Sequence, residues 1–210
     1  MSERTRVILL HGFAANSLAM MPLRSMLSRR GLEPSIWRYP SLRVSVAENA
    51  DRLRAHLDDL DADAIPYHIV AHSMGAIVTR AAHADGNARS GNARSGNARW
   101  LQRIVFLAPP HSGLPAARLA SPIAQRFLPP MLDLSDAPTS YVNTLPTTIN
   151  HDVGAIAARW DVLVPRRSTH LDCQREHRTL HASHNSLLVS RRVATLVANF
   201  LHRGSFDATL

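Results

Sequence analysis

Residues Tyr67 to Val78 read Y-H-I-V-A-H-S-M-G-A-I-V. Tyr67 to Val70 is apolar and β-prone, His72 and Ser73 interrupt the pattern, and Gly75 to Ala82 is a run of small and apolar residues suited to a packed helix. The stretch therefore predicts strand, tight turn and helix, with Ser73 at the apex of the turn. Its centre, A-H-S-M-G, is the nucleophile-elbow pattern G-x-S-x-G with Ala71 in the first place. Such a turn holds its serine in a sparsely populated backbone conformation. The residues two before and two after it are then expected to crowd each other, which is why both must be small. Ser73 is the candidate nucleophile.

Working outward, Arg6 to Leu10 (R-V-I-L-L) is a short buried-strand signal, followed by His11-Gly12-Phe13 and a small, polar run from Ala14 to Ser17. Where a chain carries this elbow, the loop after such a strand and the residue after the nucleophile each supply a backbone N–H for an oxyanion hole. The donors would be Phe13 and Met74. The elbow also sets the chain order Ser, then Asp or Glu, then His. Val153 to Trp160 reads as a core strand with Asp161 at its end, ahead of Val-Leu-Val-Pro. Arg178 to Ala182 reads as a last strand, and His184 follows in Ser183-His184-Asn185-Ser186, on a loop from which it can reach a serine. In this arrangement His184 removes the Ser73 proton, Asp161 orients and stabilises the imidazolium, and water releases the acyl group.

Taken together, R-V-I-L-L-H-G-F, V-A-H-S-M-G-A, L-A-P-P-H-S-G, D-V-L-V-P and S-H-N-S-L-L fall in the order of the α/β-hydrolase superfamily, and the chain resembles its compact bacterial lipases and esterases. The A-H-S-M-G elbow resembles that of the small Bacillus-type lipases, which also carry alanine there. The resemblance runs from Arg6 to about Leu201. It implies an α/β-hydrolase fold in a minimal form, without the first two strands of larger relatives, and hydrolysis of a small-molecule acyl ester without cofactor or metal. An acyltransferase or thioesterase using the same triad is the alternative within enzymes, and a non-catalytic binding protein of this fold the alternative outside them. His184 is preferred to His181, because S-H-N-S-L-L resembles the family's histidine loop and His181 falls at the strand end. Asp161 is preferred to Asp152 and Asp172, since it follows the core strand directly. His72 is expected to pack or hydrogen-bond under the loop, and His111 and Ser112 to play a structural or supporting part.

Composition fits a single α/β-hydrolase domain over residues 1–210. At 210 residues and 45% hydrophobic content, the chain can bury a large core without disulfides. The lone Cys173 has no internal partner, nothing resembles a signal peptide, and no run of ~20 apolar residues is present to span a bilayer. A cytoplasmic location and no stable membrane insertion are the expectation. Net charge is +8, every one of the 24 basic residues is arginine, and they are scattered with few aromatics between them. No nucleic-acid fold signature accompanies them, so a solvated basic surface is expected rather than nucleic-acid binding. Cys173, His177, His181 and His184 lack the paired short spacings of structural zinc sites. The aspartates at 58, 59, 61 and 63 read as a solvated helix end.

Strands and helices alternate, which predicts a mostly parallel sheet of about six strands with helices on both faces. Strands are expected near 6–10, 33–38, 67–71, 103–108, 153–158 and 177–180. Helices are expected at 18–30, 46–60, 74–84, in parts of 115–127, and at 187–202. The segment Gly86 to Trp100 is a triple pentapeptide, GNARS-GNARS-GNARW, too short in period for a solenoid and loop-like in composition. It joins the elbow helix to the next strand, so it is expected opposite the site. Pro109 to Asn150, about forty residues, leaves the sheet at the site edge. With its apolar residues it reads either as a cap lining an acyl pocket or as helix packed on the core.

Overall fold

A computed structural model describes residues 5–84, 99–119 and 127–207. Their six strands are β1 (Thr5–Leu10), β2 (Leu32–Ile36), β3 (Tyr67–His72), β4 (Leu101–Leu107), β5 (Asp152–Ala158) and β6 (Gln174–Leu180). They form one parallel sheet in the order β2-β1-β3-β4-β5-β6. The chain steps outward from β1 to β2, then returns past β1 to lay down β3. In such open sheets ligands bind beyond the carboxyl ends of the strands where the winding reverses, which is here the crevice between β1 and β3. Pro34 is tolerated within β2 because β2 is an edge strand.

Alternation along the strands builds two cores. Ile8, Leu10, Ile69, Ala71, Ile104 and Phe106 face one side, with helices α2 (Val46–Ala62) and α3 (Met74–Ala82). Val7, Leu9, Val70, Val105 and Leu107 face the other, beneath α1 (Met21–Ser28) and the last helix, Arg191–Arg203. Helix α2 starts where Ser45 and Glu48 make a reciprocal capping box.

Two expected helices are each divided. The stretch 18–30 is a 3-10 turn, Ser17–Met20, followed by α1, whose second residue is Pro22, suited to a helix start and not to its interior. The stretch 187–202 begins as the 3-10 turn Asn185–Val189. It restarts at Arg191, where Ser190 caps the final helix by accepting a hydrogen bond from Val193 N–H.

Residues 120–126 of the long connection lie outside the described residues. The rest holds α4 (Pro115–Arg118), α5 (Pro129–Asp133) and α6 (Tyr141–Thr144), and the final helix is therefore α7. Leu134, Val142, Leu145 and Ile149 are buried in the core beside α2 and α3, whereas Leu119, Phe127 and Leu132 are exposed. The second half of the connection thus packs on the core. Arg80 of α3 fastens it: its buried guanidinium donates to the carbonyls of His111, Leu145 and Pro146 at 2.9, 2.7 and 2.8 Å. Burial lowers the Arg80 pKa to about 10.

Most of the repeat, residues 85–98 with their approach, lies outside the described residues. Its flanks are placed. His83 meets His151 edge-on just before β5, and the Trp100 carbonyl accepts from Tyr67 N–H at the start of β3. Both flanks sit where strands begin, opposite the crevice. Asp61 from the acidic helix end accepts the backbone N–H groups of Arg99 and Trp100 at 2.8 and 3.3 Å, a structural use of that carboxylate.

Candidate active site

Ser73 stands between β3 and α3 with φ 53° and ψ −123°, a region that side-chain-bearing residues rarely occupy. Two backbone bonds hold it there: Ser73 N–H donates to Leu107 O, and Ser73 O accepts from Ala76 N–H, both at 2.9 Å. Two glycines make the room. A Cβ on Gly75 would lie 2.8 Å from His11 O and 2.9 Å from Leu10 Cβ. The crowding expected against Ala71 is therefore nearest to the end of β1. Gly75→Ala is expected to cost about 1–3 kcal/mol by overpacking, a fall in Tm of roughly 2–12 °C in a domain of this size, read by calorimetry. A Cβ on Gly12 would meet Ser73 Cβ at 2.9 Å and Ser73 Oγ at 3.4 Å, so the bare glycine keeps the hydroxyl's approach clear.

His184 and Asp161 are joined directly. His184 Nδ1 lies 2.7 Å from Asp161 Oδ2, with both side chains nearly removed from solvent. The other oxygen, Oδ1, accepts the N–H groups of Leu163 and Val164, each at 2.9 Å. That is the local meaning of D-V-L-V-P: the aspartate organises its own turn while aiming one oxygen at the histidine. Burial pushes the Asp161 carboxyl up. The hydrogen bonds from His184 and Val164, His184's charge and the Leu163 N–H outweigh it and hold the carboxyl below its usual range.

His72 connects this pair to the elbow. Its ring lies 4.6 Å from the His184 ring, and its Nε2 is 3.2 Å from the His184 carbonyl oxygen, to which it donates. Burial, then the neighbouring His184, lower the His72 pKa to about 3, so the ring is neutral and its one proton sits on Nε2. The point a Gly12 Cβ would occupy is 3.3 Å from His72 Nδ1 and 3.4 Å from Ser73 Oγ. Ser73, His72 and His184 are thus one cluster, although among the described residues Ser73 Oγ makes no hydrogen bond. Such bonds often tighten only when substrate binds.

Phe13 lies in the turn directly after Gly12, and Ala14 beyond it takes φ 54°. Met74 opens α3, where an N–H has no intrahelical acceptor. Among the described residues neither N–H donates to protein.

The alternatives separate by position. His181 is exposed and packs edge-on against Trp160. Asp152 opens β5 and pairs with Arg103 and Arg175, and Asp172 precedes β6, both at the far edge of the sheet. Cys173 accepts from Ile149 N–H at that same far edge, and His177, within β6, bonds Thr169 rather than His184. Among the described residues no group of three or more His, Cys, Asp or Glu could hold a metal ion.

His111 is buried against Phe106 without a partner for either ring nitrogen. Its backbone N–H donates to Ser168 O, while Ser168 Oγ accepts from Ser112 N–H and donates to Gly113 O. Ser168 therefore stitches the end of β4 to the loop that follows Asp161. Nothing in the sequence near Ser168 advertises that part.

A family model described as "Alpha/beta hydrolase family" matches residues 7–202. The chain belongs to the alpha/beta hydrolase family. As an alpha/beta hydrolase it shares its fold with lipase B of Aspergillus fumigatus at 16% identity and a TM-score of 0.79, over 97% of this chain and 54% of that one. It thus spans about half of that lipase's length. The mature lipase of Bacillus licheniformis aligns at 14% identity and a TM-score of 0.72, over 98% and 94% of the two chains. The monoacylglycerol lipase of Paleococcus ferrophilus aligns at 13% identity and 0.60, over 89% and 94%. No curated protein matches the sequence. Among the described residues of this alpha/beta hydrolase, no helix is long and apolar enough to cross a membrane.

Proposed function

We propose that the protein is a serine carboxylic-ester hydrolase, an esterase or lipase working through an acyl-enzyme. The observation that carries this reading is the His184–Asp161 hydrogen bond of 2.7 Å beside a serine held at positive φ on a strand-to-helix turn. A histidine fixed through Nδ1 presents Nε2 as the base. His184 Nε2 takes the Ser73 hydroxyl proton as Oγ bonds to the ester carbonyl carbon, and the carbonyl oxygen becomes an oxyanion received by Phe13 and Met74 N–H. The proton passes to the departing alcohol as the ester C–O bond breaks. Water, deprotonated by the same histidine, then releases the acid and restores Ser73. Asp161, kept ionised by its hydrogen bonds, stabilises the imidazolium in both halves. Membership of the hydrolase family and the likeness of fold to lipases support the reading.

The test is intact-protein mass after treatment with a fluorophosphonate, together with a p-nitrophenyl ester chain-length series. One adduct, with turnover of the esters, is expected. A folded protein that takes no adduct and turns over no ester would refute the reading.

A further inference from the structure

Beside the elbow lies a cavity of about 520 Å³, bounded on one side by the loop that follows β1 and on the other by residues 38–43 after β2. Its walls are hydrogen-bonded to each other. The Tyr39 hydroxyl donates to His11 O, and Ser41 Oγ donates to Ala15 O at 3.1 Å, so the two loops are bonded across the cavity's floor. Asn49 of α2, fully buried, donates to Pro40 O and Val44 O, each at 3.1 Å, and clamps both ends of the loop between them. The His11 that forms one wall precedes Gly12, whose Cα faces Ser73.

Arg38 and Arg43 line this cavity. Among the described residues neither guanidinium has an ion pair or hydrogen bond, in contrast to Arg54, Arg103 and Arg178, which pair with carboxylates. Glu48 caps α2 with Ser45, and Asp133 accepts from Val46 N–H at 2.7 Å. Two cations without a counterion among the described residues, on a loop held by hydrogen bonds, can together receive an anionic oxygen group. Leu42 and Pro40 add a short apolar surface between them.

We infer that this cavity is an anion subsite, and that the preferred substrates are esters carrying a second, negatively charged group, a carboxylate or phosphate, which Arg38 and Arg43 receive while the ester lies at Ser73. The inference rests on the ester-hydrolase reading for the reaction, and on the cavity for the charge. It selects among esters by a group that takes no part in bond breaking.

Two matched pairs test it. The p-nitrophenyl monoester of glutaric acid against p-nitrophenyl pentanoate places the charge on the acyl side. 3-Acetoxybenzoate against phenyl acetate places it on the alcohol side. Wild type is expected to show a higher kcat/KM for the charged member of at least one pair, with the preference weakening as salt is raised. In the double variant Arg38→Ala/Arg43→Ala that charged-to-neutral ratio is expected to fall about tenfold or more. Arg38→Lys/Arg43→Lys is expected to restore part of it. The pair that responds identifies the side of the ester on which the anion sits. Equal ratios in wild type and the alanine variant for both pairs would overturn the subsite. If Ser73 takes no fluorophosphonate and no neutral ester turns over, the reaction reading has failed by itself, and calorimetric titration with glutarate then decides the subsite. Binding in wild type weakened tenfold or more in the alanine variant supports it, and no binding in either overturns it.

Discussion

Ser73→Ala is expected to abolish the fluorophosphonate adduct and to lower ester turnover by about 10⁴ to 10⁶-fold, with no loss of thermal stability. The hydroxyl makes no hydrogen bond among the described residues, and the backbone bonds that hold the turn, Ser73 N–H to Leu107 O and Ala76 N–H to Ser73 O, survive the substitution. His184→Ala is expected to lose a comparable factor. The double variant should be hardly worse than either alone, because once the nucleophile or its base is gone the other has nothing to act on. Losses that multiply in the double variant would show that the two residues act independently, which the proposed reaction forbids. Initial rates on a short p-nitrophenyl ester, with active protein counted by mass, make the measurement.

The second large effect is at Asp161. Asp161→Asn keeps the size of the side chain but can present an N–H where the carboxylate presented an acceptor. His184 Nδ1 must then accept, which moves the imidazole proton to Nε2 and removes the base. A fall in kcat of about 10⁴ is expected, from the same tautomer argument that applies to any such triad. The substitution also carries a signature in stability. The folded carboxyl binds its proton less readily than the unfolded one. It therefore adds stability above the ordinary carboxylate value of about 3.9, and that contribution is lost as pH falls through the lower folded value. The Asn variant has no such proton to bind. Its denaturant midpoint should lie furthest below wild type near neutrality, and the gap should close as pH falls below the ordinary carboxylate range. A gap constant over that range would mean that the carboxylate's charge is not what Asp161 contributes.

Much of this arrangement could be read from the chain because parallel sheets write themselves in one dimension. Each buried strand is a short apolar run, and each site residue comes within a few positions of a strand's carboxyl end: Gly12 and Phe13 after β1, Ser73 after β3, Asp161 after β5, His184 after β6. Chain order and edge then suffice to gather them. What could not be read were contacts that depend on depth. The His72 ring bonds the backbone of His184, 112 positions away. Ser168 joins β4 to the loop beyond β5 through an ordinary serine in a basic stretch. The divided helices were hidden for another reason: Leu18 to Leu27 and Leu187 to Leu201 keep a helical spacing of apolar residues, and Pro22 and Ser190 interrupt the backbone without disturbing it. The arginines at 38 and 43 were likewise invisible among 24, since what marks them is that both line one cavity.

Arg80 ties two distant points of the chain to one side chain. The chain from His111 to Leu145 has both of its feet on one guanidinium, which is anchored in a helix packed against the sheet. Such a tether makes the two feet one mechanical unit: neither can shift without breaking a hydrogen bond to Arg80, and a change at Arg80 reaches both together.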